Sequence, residues 1–105
     1  NIAAAIPICG GGQPSKSRAL KDIPIWAFHG EEDSVVDVNH SIRMIESINK
    51  FGPVEKAKLT IYPGIKHDSW TMTYDHSGMG KESIMYDPFD INIWEWMLQH
   101  SFGKF

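Results

Sequence analysis

Apolar residues along the chain follow two rhythms. Some fall in short unbroken or alternating runs, others recur every three to four positions, and the two patterns separate strands from helices. Ile2 to Cys9 is a short apolar run closed by Gly10-Gly11-Gly12. It predicts a buried parallel strand entering a turn, although Ala3-Ala4-Ala5 also fits a helix end. Gln13 to Asp22 reads as a loop. Ile23-Pro24-Ile25-Trp26-Ala27-Phe28 predicts a second strand, with its proline tolerable near the first residues. After a loop from His29 to Asp37, Ile42, Ile45 and Ile48 repeat at a spacing of three beside Met44. That spacing predicts a helix with one face on a sheet, opened by Asp37 and stopped by Phe51-Gly52-Pro53. Lys58 to Tyr62 alternates as a third strand and Pro63-Gly64 turns the chain. His67 to Tyr74 fits neither rhythm. Pro88 to His100 predicts a last amphipathic helix with Ile91, Ile93, Trp94, Met97 and Leu98 on its apolar face and Trp94 in the core; residues 101–105 read as a tail.

The order strand, loop, strand, helix, strand, helix predicts an α/β fold with parallel strands and flanking helices. Three strands make a small sheet, and a parallel sheet needs both faces covered. Composition adds limits. With 105 residues, 42% of them apolar and 22% charged, the sequence has room for one globular unit. A net charge of -3, with ten Lys and Arg scattered along the chain, lacks the basic stripe that nucleic acid requires. No apolar run reaches the length of a membrane span, so neither nucleic acid nor membrane is expected as a partner. Cys9 is the single cysteine, which excludes an intrachain disulfide and a cysteine-cluster metal site. The chain opens in an apolar segment without Met, which predicts a piece of a longer protein.

Open α/β sheets place their chemistry in the loops after strand carboxyl ends. Two such loops carry titratable groups, His29-Gly30-Glu31-Glu32-Asp33 and Gly64-Ile65-Lys66-His67-Asp68-Ser69-Trp70. An aspartate in one and a histidine in the other can meet there, the carboxylate fixing the imidazole tautomer. Ile23 to Val36, a hydrophobic strand followed by His-Gly, two variable residues and Asp, closely resembles the acid-bearing segment of α/β-hydrolase esterases. Tyr62 to Thr71 resembles the histidine loop of the branch that includes polyhydroxybutyrate-depolymerase-like and predicted-peptidase esterases. Ala3 to Gly11 resembles the strand that follows the nucleophile elbow of that fold, and the acid precedes the histidine as the fold requires.

The resemblance implies that residues 1–105 form the C-terminal half of an α/β-hydrolase domain, comprising its last three core strands and C-terminal helix. It implies Asp33 as the triad acid, His67 as the base and Trp70 as a wall of the substrate pocket. The implied partners are an ester substrate and either the N-terminal half of the same hydrolase or a second copy. No cofactor and no metal are implied, and secretion is suggested by analogy alone. The elbow Gly-x-Ser-x-Gly does not occur in the 105 residues, so the nucleophile is expected from outside them and the chain alone is expected to be inactive. The alternative is a noncatalytic binding or scaffold module derived from a hydrolase. Among neighbouring residues, His29 suits orientation of the acid loop, Asp37 suits a helix cap but is also a second candidate acid, and Asp68 and Ser69 suit turn or cap roles. Asp37-x-x-His40 is the only tightly spaced pair of metal-ligand type.

Overall fold

The computed structural model describes residues 4, 6–8, 23–53 and 55–102. Strand β1 spans Trp26–Gly30 and pairs in parallel with β2, Lys58–Tyr62, in a register that runs from Trp26 opposite Lys58 to Gly30 opposite Tyr62. Ile8 bridges Phe28 in parallel on the other side of β1, and Phe28 N–H donates to the Pro7 carbonyl at 3.0 Å. The rest of the strand expected over Ile2 to Cys9, and the loop expected over Gln13 to Asp22, lie outside the described residues. β1 runs two residues past the predicted end, which draws His29 and Gly30 into the sheet.

Alternation sorts the strand residues onto two faces. Ile25, Ala27, Leu59 and Ile61 pack against Met44, Ile45 and Ile48 of helix α1, Val38–Lys50. Trp26, Phe28 and Tyr62 face Phe89 and helix α3, Ile93–Phe102, through Ile93 and Trp96. This second layer is mostly aromatic. Trp26 meets Phe28 at 4.9 Å between ring centroids, Phe89 edge-on at 5.7 Å and Trp96 edge-on at 5.5 Å. Such pairs add about 0.5–1.5 kcal/mol each beyond the area they bury. The indole N–H of Trp26 donates to Thr60 Oγ1 at 2.8 Å, and that hydroxyl donates to the Asp87 carbonyl at 2.9 Å, so the polar atoms of this layer are partnered.

Helix α1 starts where its pattern places it. Asp37 accepts the Asn39 N–H at 2.8 Å as the cap, and Gly52, at φ 64°, closes the other end in the left-handed region that glycine tolerates. The last helix departs from its prediction. It begins at Ile93 rather than Pro88, where the Asn92 carbonyl Oδ1 accepts the N–H groups of Trp94 and Glu95, and packing of Ile93, Trp96 and Met97 sets its phase. In that phase Trp96 is buried and Trp94 is 49% exposed, stacked on Tyr74 at 6.1 Å. Trp94 is therefore not the core residue the spacing suggested. The ambiguous stretch resolves into a turn followed by a short helix α2, Trp70–Tyr74.

The outer edge of β2 is covered by irregular chain. Ser83 N–H donates to the Ile61 carbonyl at 2.7 Å, Asp87 N–H to the Leu59 carbonyl at 2.8 Å, and the Asp87 carboxylate accepts Leu59 N–H at 2.8 Å. An edge closed in this way cannot template another strand. Glu82 staples the covering segment by accepting the N–H groups of Gly80 at 2.7 Å and Phe89 at 2.9 Å. Burial works to raise the Glu82 pKa, but the backbone N–H groups of Glu82, Phe89 and Gly80 outweigh it and hold the carboxyl below its ordinary range. A carboxyl depressed on folding contributes stability at neutral pH that is lost as pH falls through its folded value. We expect the urea midpoint to drop as pH falls from about 5, and Glu82→Gln to lower the pH 7 midpoint and flatten that decline. Parallel declines in both proteins would remove Glu82 from the account.

Candidate active site

The two loops meet because the strands before them are neighbours in register. Glu31 N–H donates to the Tyr62 carbonyl and Glu32 N–H to the Ile65 carbonyl, each at 2.9 Å, which stitches the acid loop to the histidine loop. Gly30 lies at the seam. A Cβ there would collide with the carbonyl oxygens of Lys66 and Ile65 and lie 2.8 Å from the Ile65 carbonyl carbon, all backbone atoms. Only a residue without a side chain lets the loops come this close.

Asp33 is 6% exposed, and its two oxygens have different partners. Oδ1 accepts the N–H groups of Val35 at 2.8 Å and Val36 at 2.9 Å, and Oδ2 lies 2.8 Å from His67 Nδ1. Burial alone would raise the pKa of this carboxyl. The hydrogen bond from His67 and those from the Val36 and Val35 N–H groups overcome that and keep it below the usual carboxylate range. An ionised Asp33 only accepts, so His67 Nδ1 carries the hydrogen, and in the neutral ring the lone pair is on Nε2. The His67 side chain is 34% exposed while that of Asp33 is fully covered. This places a shielded acid behind an accessible imidazole.

The histidine loop is propped from below. The Tyr62 hydroxyl lies 2.7 Å from Thr73 Oγ1, which donates to the Ser69 carbonyl at 2.9 Å. Burial raises the Tyr62 pKa and the Glu82 and Asp75 carboxylates add to the rise, against the Thr73 hydrogen bond, so the phenol stays a neutral donor. Asp68 accepts from the Thr71 N–H at 3.3 Å and hydroxyl at 3.0 Å, a local cap on α2. Trp70 stands edge-on to the His67 ring at 5.4 Å and 84° and is 40% exposed, so it walls the imidazole on one side. The structure thus brings together Asp33, His67 and Trp70, while the carboxylate of Asp37 serves the cap of α1. Sequence reasoning passed over Ser41 and the Tyr62–Thr73 prop. For Ser41 the signal was present, since it is a polar residue on the buried stripe of α1 with Met44, Ile45 and Ile48.

Comparison with known proteins agrees with the fold. The family model described as phospholipase/carboxylesterase matches residues 5–76, more than half of the chain. The crystal structure of a thermostable esterase superposes with a TM-score of 0.70 at 35% identity, covering 91% of this chain and 24% of that one. The present chain therefore spans about a quarter of that esterase. No curated protein matches the chain. With parallel strands, helices on both faces and loops meeting at the carboxyl edge, the chain belongs to the phospholipase/carboxylesterase family of the α/β-hydrolases.

Proposed function

We propose that this segment supplies the acid and the general base of a serine carboxylic ester hydrolase whose nucleophile lies in another part of a longer protein. The observation that carries the reading is the 2.8 Å contact between His67 Nδ1 and the shielded Asp33 Oδ2. It leaves Nε2 as the free basic nitrogen, the tautomer that base catalysis requires. In the first half-reaction the serine hydroxyl loses its proton to His67 Nε2 as its oxygen attacks the ester carbonyl. The imidazolium then returns that proton to the departing alcohol, leaving an acyl-serine. In the second half, water takes the place of the serine hydroxyl, His67 again relays the proton, and the carboxylic acid leaves. Asp33 stays ionised throughout and stabilises the imidazolium. Trp70 forms one wall of the pocket for the acyl or alcohol group. None of these steps requires a cofactor.

The 105-residue chain alone should hydrolyse p-nitrophenyl acetate no faster than buffer with free imidazole. The same segment joined to its Gly-x-Ser-x-Gly-bearing portion should turn the ester over and be inactivated by a serine-directed phosphonate. Saturable, phosphonate-sensitive activity from the 105 residues alone would place the nucleophile among them and overturn the division of labour. An inactive joined protein would favour a noncatalytic module.

A further inference from the structure

Two histidines meet Asp33, and the mechanism above uses one of them. His29 is fully buried on the face of β1 turned toward α1. Its Nε2 is 2.6 Å from the Val36 carbonyl oxygen and 3.2 Å from Asp33 Oδ2, and its Nδ1 is 2.7 Å from Ser41 Oγ. A carbonyl oxygen only accepts, so Nε2 carries a hydrogen. Ser41 is also fully buried, and its hydroxyl can donate to a bare Nδ1, which completes the neutral ring with the hydrogen held on Nε2. The nitrogen itself lies 3.2 Å from the same oxygen that receives His67 Nδ1–H.

Asp33 Oδ1 thus accepts from Val35 and Val36 and Oδ2 is paired with His67, with His29 Nε2 in close contact at 3.2 Å. Val36 closes the arrangement into a ring, since its N–H is bound by Oδ1 and its carbonyl by His29. Without His29 the Val36 carbonyl would lose its partner, the Val36 N–H would hold Oδ1 less firmly, and the carboxylate would be freer to rotate about its last torsion.

We infer that His29, its tautomer held by Ser41 and Val36, is a positioning residue of the Asp33–His67 pair that keeps Oδ2 aimed at His67 Nδ1–H. The consequence for catalysis rests on the esterase reading, while the orientation of the carboxylate does not. The test therefore needs no nucleophile. In the 15N-histidine-labelled 105-residue chain, solvent exchange of the His67 Nδ1–H proton is measured by NMR for wild type, Ser41→Ala, His29→Leu and His29→Gln, with circular dichroism confirming the fold of each. Ser41→Ala and His29→Leu should speed exchange about tenfold, the effect of losing one hydrogen bond of ordinary net strength. His29→Gln, which keeps an N–H near the position of Nε2, should restore much of the protection. If the Leu variant fails to fold, Ser41→Ala, a smaller change, decides the matter. Wild-type exchange in folded Ser41→Ala would overturn the inference, as would a Gln variant no better protected than a folded Leu variant. In the serine-bearing enzyme the same variants should lower kcat and leave KM unchanged, because His29 touches no substrate.

Discussion

Replacing Asp33 with Asn in the serine-bearing enzyme should lower kcat by roughly 10⁴-fold, the scale of a lost triad tautomer, with little change in fold. The reason is visible in how the two oxygens are used. Oδ1 accepts two backbone N–H groups, so the Asn carbonyl must occupy that position, and the amide NH₂ falls where Oδ2 meets His67 and His29. An NH₂ group opposite His67 Nδ1 favours the ring that accepts there and carries its hydrogen on Nε2. That tautomer cannot take the proton of a serine. His67→Ala removes the base outright and should cost at least as much. Asp37→Ala, by contrast, should leave kcat near wild type and cost about 1 kcal/mol of stability, the typical value of a helix cap. Steady-state hydrolysis of p-nitrophenyl butyrate with urea denaturation of each variant separates these cases. A larger loss of kcat in Asp37→Ala than in Asp33→Asn would move the acid to Asp37.

Among the described glycines, Gly30→Ala should be the most damaging substitution. The added Cβ meets the backbone of Ile65 and Lys66 rather than a side chain that can swing away, so relief requires moving a loop. Moving it breaks the Glu31-to-Tyr62 and Glu32-to-Ile65 hydrogen bonds and draws His67 away from Asp33. Overpacking of this kind costs about 1–3 kcal/mol and occasionally more, and two backbone hydrogen bonds add about 1 kcal/mol each. A loss of more than 3 kcal/mol is expected by urea denaturation, roughly a quarter or more of the stability of an ordinary domain of this size. An unchanged midpoint would mean that the loops are not as close as described.

Much of this architecture was legible in the sequence because periodicity and burial go together. Ile45 and Ile48 of α1 and the alternation of Lys58 to Tyr62 marked the layers, and the acid and histidine stood in loops after neighbouring strands. What stayed hidden depends on contacts between segments remote in sequence. Asp87 is an unremarkable acidic residue until β2 offers it an edge, 28 positions upstream of it. Trp94 and Trp96 differ in which side of their helix they occupy: Trp96 shares the packed face with Ile93 and Met97, while Trp94 stacks on Tyr74 of another element. His29 was legible as a residue orienting the acid loop, but its tautomer depends on Ser41, twelve positions away on another element.

In the proposed mechanism His67, oriented by Asp33, is the base that moves the serine proton. Stopped-flow mixing of the serine-bearing enzyme with excess p-nitrophenyl ester measures that step directly, as the first equivalent of p-nitrophenol released on acylation. A burst of one equivalent is expected in wild type and should disappear in His67→Ala, with the fold intact by circular dichroism. A burst of undiminished rate and amplitude in His67→Ala would contradict the mechanism.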